Sequence, residues 1–450
     1  MRKVSRAALL RVAALSVAAA VSLAACAAGG GKSDSAGGPA AAPGKDDKLT
    51  LTVWSNYSDR EYEEVTKALK TFNDKYPNIE IKHEGSQDDD KITAGIRSGN
   101  PPDVALSFTT DNIGSFCSTG AFGELKPYVD RDKVDMDQLN TAVRGYTEYK
   151  GNRCAMPMLT DVYGLYFNTE MLAAAGLTEA PKTTSQLLDY AKKTTKKAAD
   201  GSIEVAGFLP TMGFYANRPQ IWAPNFGAAW EGPDGKSALA AGQGWSEMFK
   251  FQKELVDFYG YDALERFRAG LGQEYSADHA FHQGKIAMMM DGEYRTAFLK
   301  AQAPNIKFDT APFPVLDSLK DSYGLAFTTG TIMGIPKGAK NPGAAWELIK
   351  HLTFDRKTIV DLSNAIKNVP STKDSLNDPN LQVDEQFRTF IDLAKTTTLK
   401  GNPVTPIGDA HIKAVTDFAT TWQAGKVTDL NAGFADVDKQ IDDLIAKSGK

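Results

Sequence analysis

Aromatic residues stand beside Asp and Asn at five places in this 450-residue sequence: Trp54 with Asn56, Phe108 with Asp111, Asp161 with Tyr163, Tyr215 and Trp222 with Asn225, and Asp291 with Tyr294. An aromatic face meets the C–H groups of a saturated ring, while carboxylates and amides pair with hydroxyls, so the combination suits a sugar. Any one of these rings is equally well explained as core and any one of the acids as a cap; their recurrence at strand ends points to a shared cleft. Nothing in the sequence competes as covalent or phosphoryl chemistry, since it holds no G-x-S-x-G elbow, Walker loop or H-E-x-x-H pair. The five histidines are scattered, and His279 and His282 beside Asp278 read as a solvated face rather than a metal site. Asp88-Asp89-Asp90 lacks the glycine and closing glutamate of a calcium loop and reads as an acidic helix start. No cofactor or metal is expected.

The elements that must position these residues alternate strand and helix. Leu49 to Trp54 alternates apolar and polar residues, as a half-buried strand does. Ser58 and Glu61 have capping-box spacing, and Tyr62, Val65, Leu69, Phe72 and Tyr76 share one helical face. Pro77-Asn78 ends that helix, Ile79 to Lys82 opens a second strand, and Asp103 to Ser107 reads as a third, giving a β-α-β unit and a parallel sheet. Strand-like runs recur at Gly164–Asn168, Ile286–Met290 and Ile332–Pro336. Helices are expected at Met171–Ala175, at Thr184–Ala198 and after Asn341-Pro342. Ligands of α/β sheets sit beyond the carboxyl ends of strands, where the five clusters fall.

At the N-terminus, Arg2, Lys3, Arg6 and Arg11 precede the uncharged apolar run Val12–Leu23, which is too short to span a bilayer. The run closes on Leu23-Ala24-Ala25-Cys26 and resembles a bacterial lipobox, so residues 1–25 are expected to be a signal peptide and Cys26 the lipidated first residue of the mature chain. Residues 26–48 are nearly all Ala, Gly, Ser, Pro, Asp and Lys, a composition suited to a flexible tether. Cys117 and Cys154 are then the remaining cysteines of an exported chain, and a disulfide between them is expected. The formal charge of −5 becomes −9 once the four cations of the signal are gone, which argues against nucleic acid as a partner. Some 400 residues after the tether call for two lobes or domains.

Taken together, the motifs resemble those of extracellular solute-binding proteins of bacterial ABC importers, in the sugar-binding group related to maltose-binding protein. The carriers are Leu51-Thr52-Val53-Trp54, Phe72-x-x-x-Tyr76-Pro77, Gly99-Asn100-Pro101-Pro102-Asp103-Val104 and Thr160-Asp161-Val162-Tyr163-Gly164. The most specific are Phe281-x-x-Gly284-Lys285-x-Ala287-Met288-x-x-x-Gly292 and Gly334-Ile335-Pro336-Lys337. The resemblance implies a two-lobed α/β fold with hinge crossovers near 163–168, near 308–314 and after residue 353. It implies a first lobe of 49–162 plus 312–353 and a second of 163–311 plus 354–450. By position, Trp54, Asn56, Ser58, Phe108 and Asp111 would line the first lobe and Asp161 the hinge. Tyr215, Trp222 and Tyr294 would form the second wall, with Gly330 and Thr331 near a crossover and Asp409 beside the loop Pro406-Ile407-Gly408. Tyr294 stands where that group commonly has tryptophan. The implied function is capture of an oligosaccharide by a monomer held to the outer face of the cell membrane through Cys26, and its delivery to permease subunits, with no bond made or broken. A non-sugar solute, or glycan hydrolysis by Asp111 and Asp161, stays open.

Overall fold

The computed structural model describes residues 38–449. The expected signal, Cys26 and the start of the tether lie outside the described residues.

Strand Leu49–Ser55 buries Leu51, Val53 and Ser55 and leaves Thr52 and Trp54 half-buried, the period-2 pattern of its sequence. Helix Asp59–Lys70 and the 3-10 turn Thr71–Asp74 bury Val65, Leu69 and Phe72 against it, and Tyr76 completes the stripe. The chain returns in strand Ile79–Glu84, parallel to the first with Leu49 opposite Ile79, and strand Val104–Ser107 lies parallel on the other side. The expected capping box does not form. Ser58 occupies the N-cap position, but its hydroxyl donates to Asp59 at 2.9 Å and caps no backbone N–H. The acidic run does start a helix, with Asp88 accepting from the Lys91 N–H at 2.9 Å.

The main sheet runs in the order Ile79–Glu84, Leu49–Ser55, Val104–Ser107, Ala326–Gly334, Ala155–Asn168, Ile286–Gly292, Ile203–Phe208, Lys196–Lys197. Its central member is the 14-residue strand Ala155–Asn168. Residues Ala155–Val162 pair with Ala326–Gly334, whereas Tyr163–Phe167 pair with Ile286–Gly292 and Leu165–Asn168 with Phe308–Ala311. The strand changes partners between Val162 and Tyr163. Two hydrophobic cores sit on either side of that change. One gathers Leu51, Val65, Phe72, Leu106, Trp346 and Leu348, the other Leu165, Tyr166, Phe208, Trp222, Trp245 and Phe249.

The second passage between the cores differs from the expected one. Phe308–Ala311 stays paired with the second half of the long strand, and Phe313, Ala326 and Phe327 pack in the second core. The chain crosses instead within Ala326–Gly334, whose Ile332 and Met333 belong to the first core. The apolar run at 308–315 offered no sign of which core would receive it. Helix Arg356–Ile366 lies beyond residue 353 yet gives Ile359, Leu362 and Ile366 to the first core. A third passage follows at Val369-Pro370, paired with Thr160 and Leu159.

The end of the expected tether is docked rather than free. The Ala40 N–H donates to the Tyr128 hydroxyl at 3.3 Å, the Ala40 carbonyl accepts from Arg131 at 2.7 Å, and Asn78 reaches the Lys45 carbonyl at 3.5 Å. Backbone bonds hold this stretch where its side chains have little apolar surface to bury. Cys117 and Cys154 come together with Cα atoms 5.4 Å apart and their sulfurs bonded, both buried in the first core.

Closing that loop restricts the unfolded chain, so a Cys117→Ser/Cys154→Ser variant is expected to lose about 2–4 kcal/mol of stability. Denaturant titration of the variant checks the loss, and a thiol assay on the unfolded parent should find neither cysteine free.

Candidate functional site

The point where the long strand changes partners is also where buried acids gather. Asp161 sits on the last residues of its first half. Glu293 follows strand Ile286–Gly292, and Asn368 precedes Val369-Pro370. One amide joins the two acids: Asn368 Nδ2 donates to Asp161 at 2.6 Å and to Glu293 at 2.9 Å, while the other Glu293 oxygen accepts from the Val162 N–H at 2.7 Å. Glu293 is fully buried and Asp161 half-buried. Burial pushes the Asp161 carboxyl up to about 7, and burial together with the Asp161 charge holds Glu293 well above the carboxylate range.

The first core contributes the near wall. Tyr57, buried, binds Thr331 through its hydroxyl at 2.8 Å and lies edge-on to Phe108 with ring centres 4.4 Å apart. Burial pushes the Tyr57 hydroxyl up, with the Glu61, Asp161 and Glu293 charges adding to it, and Glu61 lies in the first turn of helix Asp59–Lys70. Further along, Thr110 meets Thr329 at 3.2 Å, and Asp111 accepts from Asn402 at 2.7 Å.

The second core contributes a row of tyrosines. Tyr163 lies edge-on to Tyr294 at 6.4 Å, and Tyr294 to Tyr275 at 6.1 Å. The Tyr294 ring folds back over Gly292, where a Cβ would stand 2.3 Å from it, so a larger residue there would displace the ring. Arg218 pairs with Glu274 at 3.6 Å, and all three tyrosines lie within its electrostatic reach. Solvent still reaches these side chains, 49% of the Arg218 side chain being exposed, while desolvation pushes the Glu274 carboxyl and the Tyr275 hydroxyl up.

Several residues expected in the cleft have structural employment elsewhere. Trp222 is fully buried among Phe208, Phe251 and Phe313, and Asn225 spends its amide on the Phe313 and Leu325 carbonyls. Both are pulled inward because the short helix Pro219–Trp222 and the turn after it bury all their side chains but Pro224. Tyr215 is buried, stacked between Phe214 and His279, and its hydroxyl donates to the Gly272 carbonyl. Asp291 is buried and accepts from Arg295 at 2.6 Å. Trp54 faces helix Asp89–Arg97, its ring against Gly95, where a Cβ would lie 2.8 Å away. Gly330 is buried opposite Thr160, Thr331 is held by Tyr57, and Asn56, Ser58 and Asp409 are exposed. His279 and His282 are buried rather than solvated, with rings 5.0 Å apart. Among the described residues no three His, Cys, Asp or Glu are set to hold a metal ion, and no helix is long and apolar enough to cross a membrane.

Of the expected residues, Phe108, Asp111, Asp161 and Tyr294 stay half-buried, while Tyr163 is buried in the second core against Phe327. Tyr57, Glu61, Arg218, Glu274, Tyr275, Glu293 and Asn368 join them without having been expected. Glu293 and Tyr57 each adjoin a flagged position, and Glu61 stood out only as a capping residue; the rest are brought in by folding.

The family profile described as bacterial extracellular solute-binding protein matches residues 67–389. A maltotriose-binding protein of Pyrococcus abyssi is 21% identical over 337 residues, 74% of this chain and 69% of its own. The diacetylchitobiose binding protein DasA of Streptomyces coelicolor is 24% identical over 357 residues, 75% of this chain and 76% of its own. The mannobiose complex of CpMnBP1 is similar in structure with a TM-score of 0.77 at 25% identity, covering 88% of this chain and 100% of that one.

In the unfolded chain Asp161 and Glu293 would titrate near 4. Because burial raises the Asp161 carboxyl to about 7 in the folded protein, the folded state binds more protons between those values, and stability is expected to fall as pH rises from about 4 to 7. Glu293→Gln, which keeps an acceptor for Asn368, should flatten that slope when denaturant stability is measured against pH. An unchanged slope would place the pH dependence elsewhere.

Proposed function

The chain belongs to the bacterial extracellular solute-binding proteins, and from that premise we propose that it captures an uncharged oligosaccharide between its two lobes and delivers it to the permease of an ABC importer. The observation that carries the reading is the convergence on one strand-partner change of a tyrosine row from one core and acceptor carboxylates from the other. Phe108 and Tyr163 supply apolar faces, and Asp111, Asp161 and Glu61 accept hydroxyl protons. The lobes follow the two cores, and the three passages at Val162–Tyr163, Thr328–Thr331 and Asn368–Pro370 serve as the hinge. Closure is driven by contacts that the sugar makes with both lobes at once, and the permease reads the closed shape. No bond changes. The signal-like residues 1–25 and Cys26 support export and anchoring by lipid to the outer face of the membrane, with the bonded Cys117–Cys154 pair suited to that oxidising side. The protein acts as a monomer.

The first test is thermal unfolding of the purified full chain with mannobiose, mannotriose, maltotriose and diacetylchitobiose. A ligand at one hundred times its Kd adds about 2.7 kcal/mol and raises the midpoint. A shift with one saccharide, weakened in Asp111→Ala and with the sugar recovered intact, is the expected result; cleavage of the sugar would make the protein a hydrolase. Cys26→Ser is expected to move the protein from the membrane fraction to the medium or periplasm, as immunoblotting of cell fractions would read.

A further inference from the structure

The loop 401–409 belongs to one half of the protein by its ends and to the other by its middle. Before it, Leu399–Lys400 pairs with Ala326 and Phe327, and Leu399 lies in the second core. After it, helix Ala410–Gln423 gives Ala414, Val415 and Phe418 to that same core. Between these ends Val404 packs against the first core instead.

The surface that receives the loop is helix Ile113–Ser118, together with Asp111 and Asn112 just before it. Asn402 Nδ2 donates to Asp111 at 2.7 Å, and Asn402 is itself buried. Thr405, also buried, lies so close upon Gly114 that a Cβ there would overlap the Thr405 carbonyl. Gly408, at a φ of 60°, comes against Asn112, whose Oδ1 would stand 2.6 Å from a Cβ on that glycine. One glycine from each side thus lets two backbones approach where a larger residue would hold them apart.

The receiving helix cannot follow the loop. It gives Ile113, Phe116 and Cys117 to the first core, and Cys117 is bonded to Cys154, the residue before the long strand Ala155–Asn168. Rotation of one core against the other about the three passages must therefore pull the loop off the helix, breaking the Asn402–Asp111 bond and wetting the Thr405–Gly114 contact. All of these contacts lie within the chain, so they act whether or not a solute is bound.

The geometry points to the loop 401–409 as an interlobe latch: by docking on helix Ile113–Ser118 it holds the lobes together and keeps the closed form populated before any solute arrives. A protein whose closed form is already populated gives up little affinity to closing. Loss of a hydrogen bond to a carboxylate shifts such an equilibrium about tenfold or more.

Small-angle X-ray scattering of the purified full chain, with no saccharide added, tests the latch by reading the separation of the lobes as a radius of gyration. Asn402→Ala should raise that radius above the parent's, and Asn402→Asp, which sets two carboxylates against each other, should raise it further. Gly114→Ala, which pushes Thr405 away, should act in the same direction; circular dichroism identifies the variants that fold, and where Gly114→Ala does not, the Asn402 variants decide. If folded Asn402→Asp and Asn402→Ala keep the parent's radius of gyration, the latch is overturned. The carbohydrate reading is then untouched, because the measurement involves no sugar.

Discussion

Strand Ala155–Asn168 is hydrogen-bonded to one set of neighbours up to Val162 and to another from Tyr163 onward. A strand cannot leave its ladder without exposing backbone groups, so the two halves of the protein are tied to a single continuous backbone whose direction both must accept. Everything in the cleft is measured from that point. Asp161 and Tyr163, two residues apart, project to the same face of the strand and stand one on each side of the change of partner. The other two passages run beside the long strand, Thr328–Thr331 in its ladder and Val369-Pro370 against Thr160 and Leu159. Bending between the cores is therefore confined to a few adjacent residues, the arrangement in which small dihedral changes move large bodies.

Buried charge is treated in two different ways on either side of that hinge. Asp291 and Arg295 neutralise one another inside the second core, four residues apart across the start of helix Arg295–Gln302. Removing either partner would leave an uncompensated buried charge, which is far costlier than the pair is beneficial. Asp161 and Glu293 have no such cation. Burial raises both carboxyls, and the single Asn368 amide donates to each of them. The first arrangement fixes a wall; the second leaves the hinge responsive to whatever approaches Asp161 from solvent.

Aromatic side chains are divided by the same logic. Trp222, Trp245 and Trp346 are fully buried, and each removes far more apolar surface from water than a tyrosine left at a cleft edge. Tyrosines serve the cleft because a hydroxyl end tolerates water while the ring remains available. Trp222 and Tyr294 look alike in the sequence as ring residues near Asn or Asp. The helix Pro219–Trp222 packs flat into the core, whereas Tyr294 begins helix Arg295–Gln302 at its rim, and that difference alone separates core from wall.

By itself the sequence determined what depends on local order. The periodicities of Leu49–Trp54 and of Tyr62 to Tyr76 define a strand and a helix face, because side-chain direction follows backbone repeat. The Phe281 to Gly292 pattern and its companions carry the family, and two cysteines left in an exported chain point to each other. Tertiary structure decided the rest. Which core receives 308–327, whether Trp222 is buried, and that Arg218, Glu274 and Tyr275 meet Tyr163 and Tyr294 all depend on how separate elements pack. Such meetings are settled by the packing of whole elements, and no short window of sequence records it.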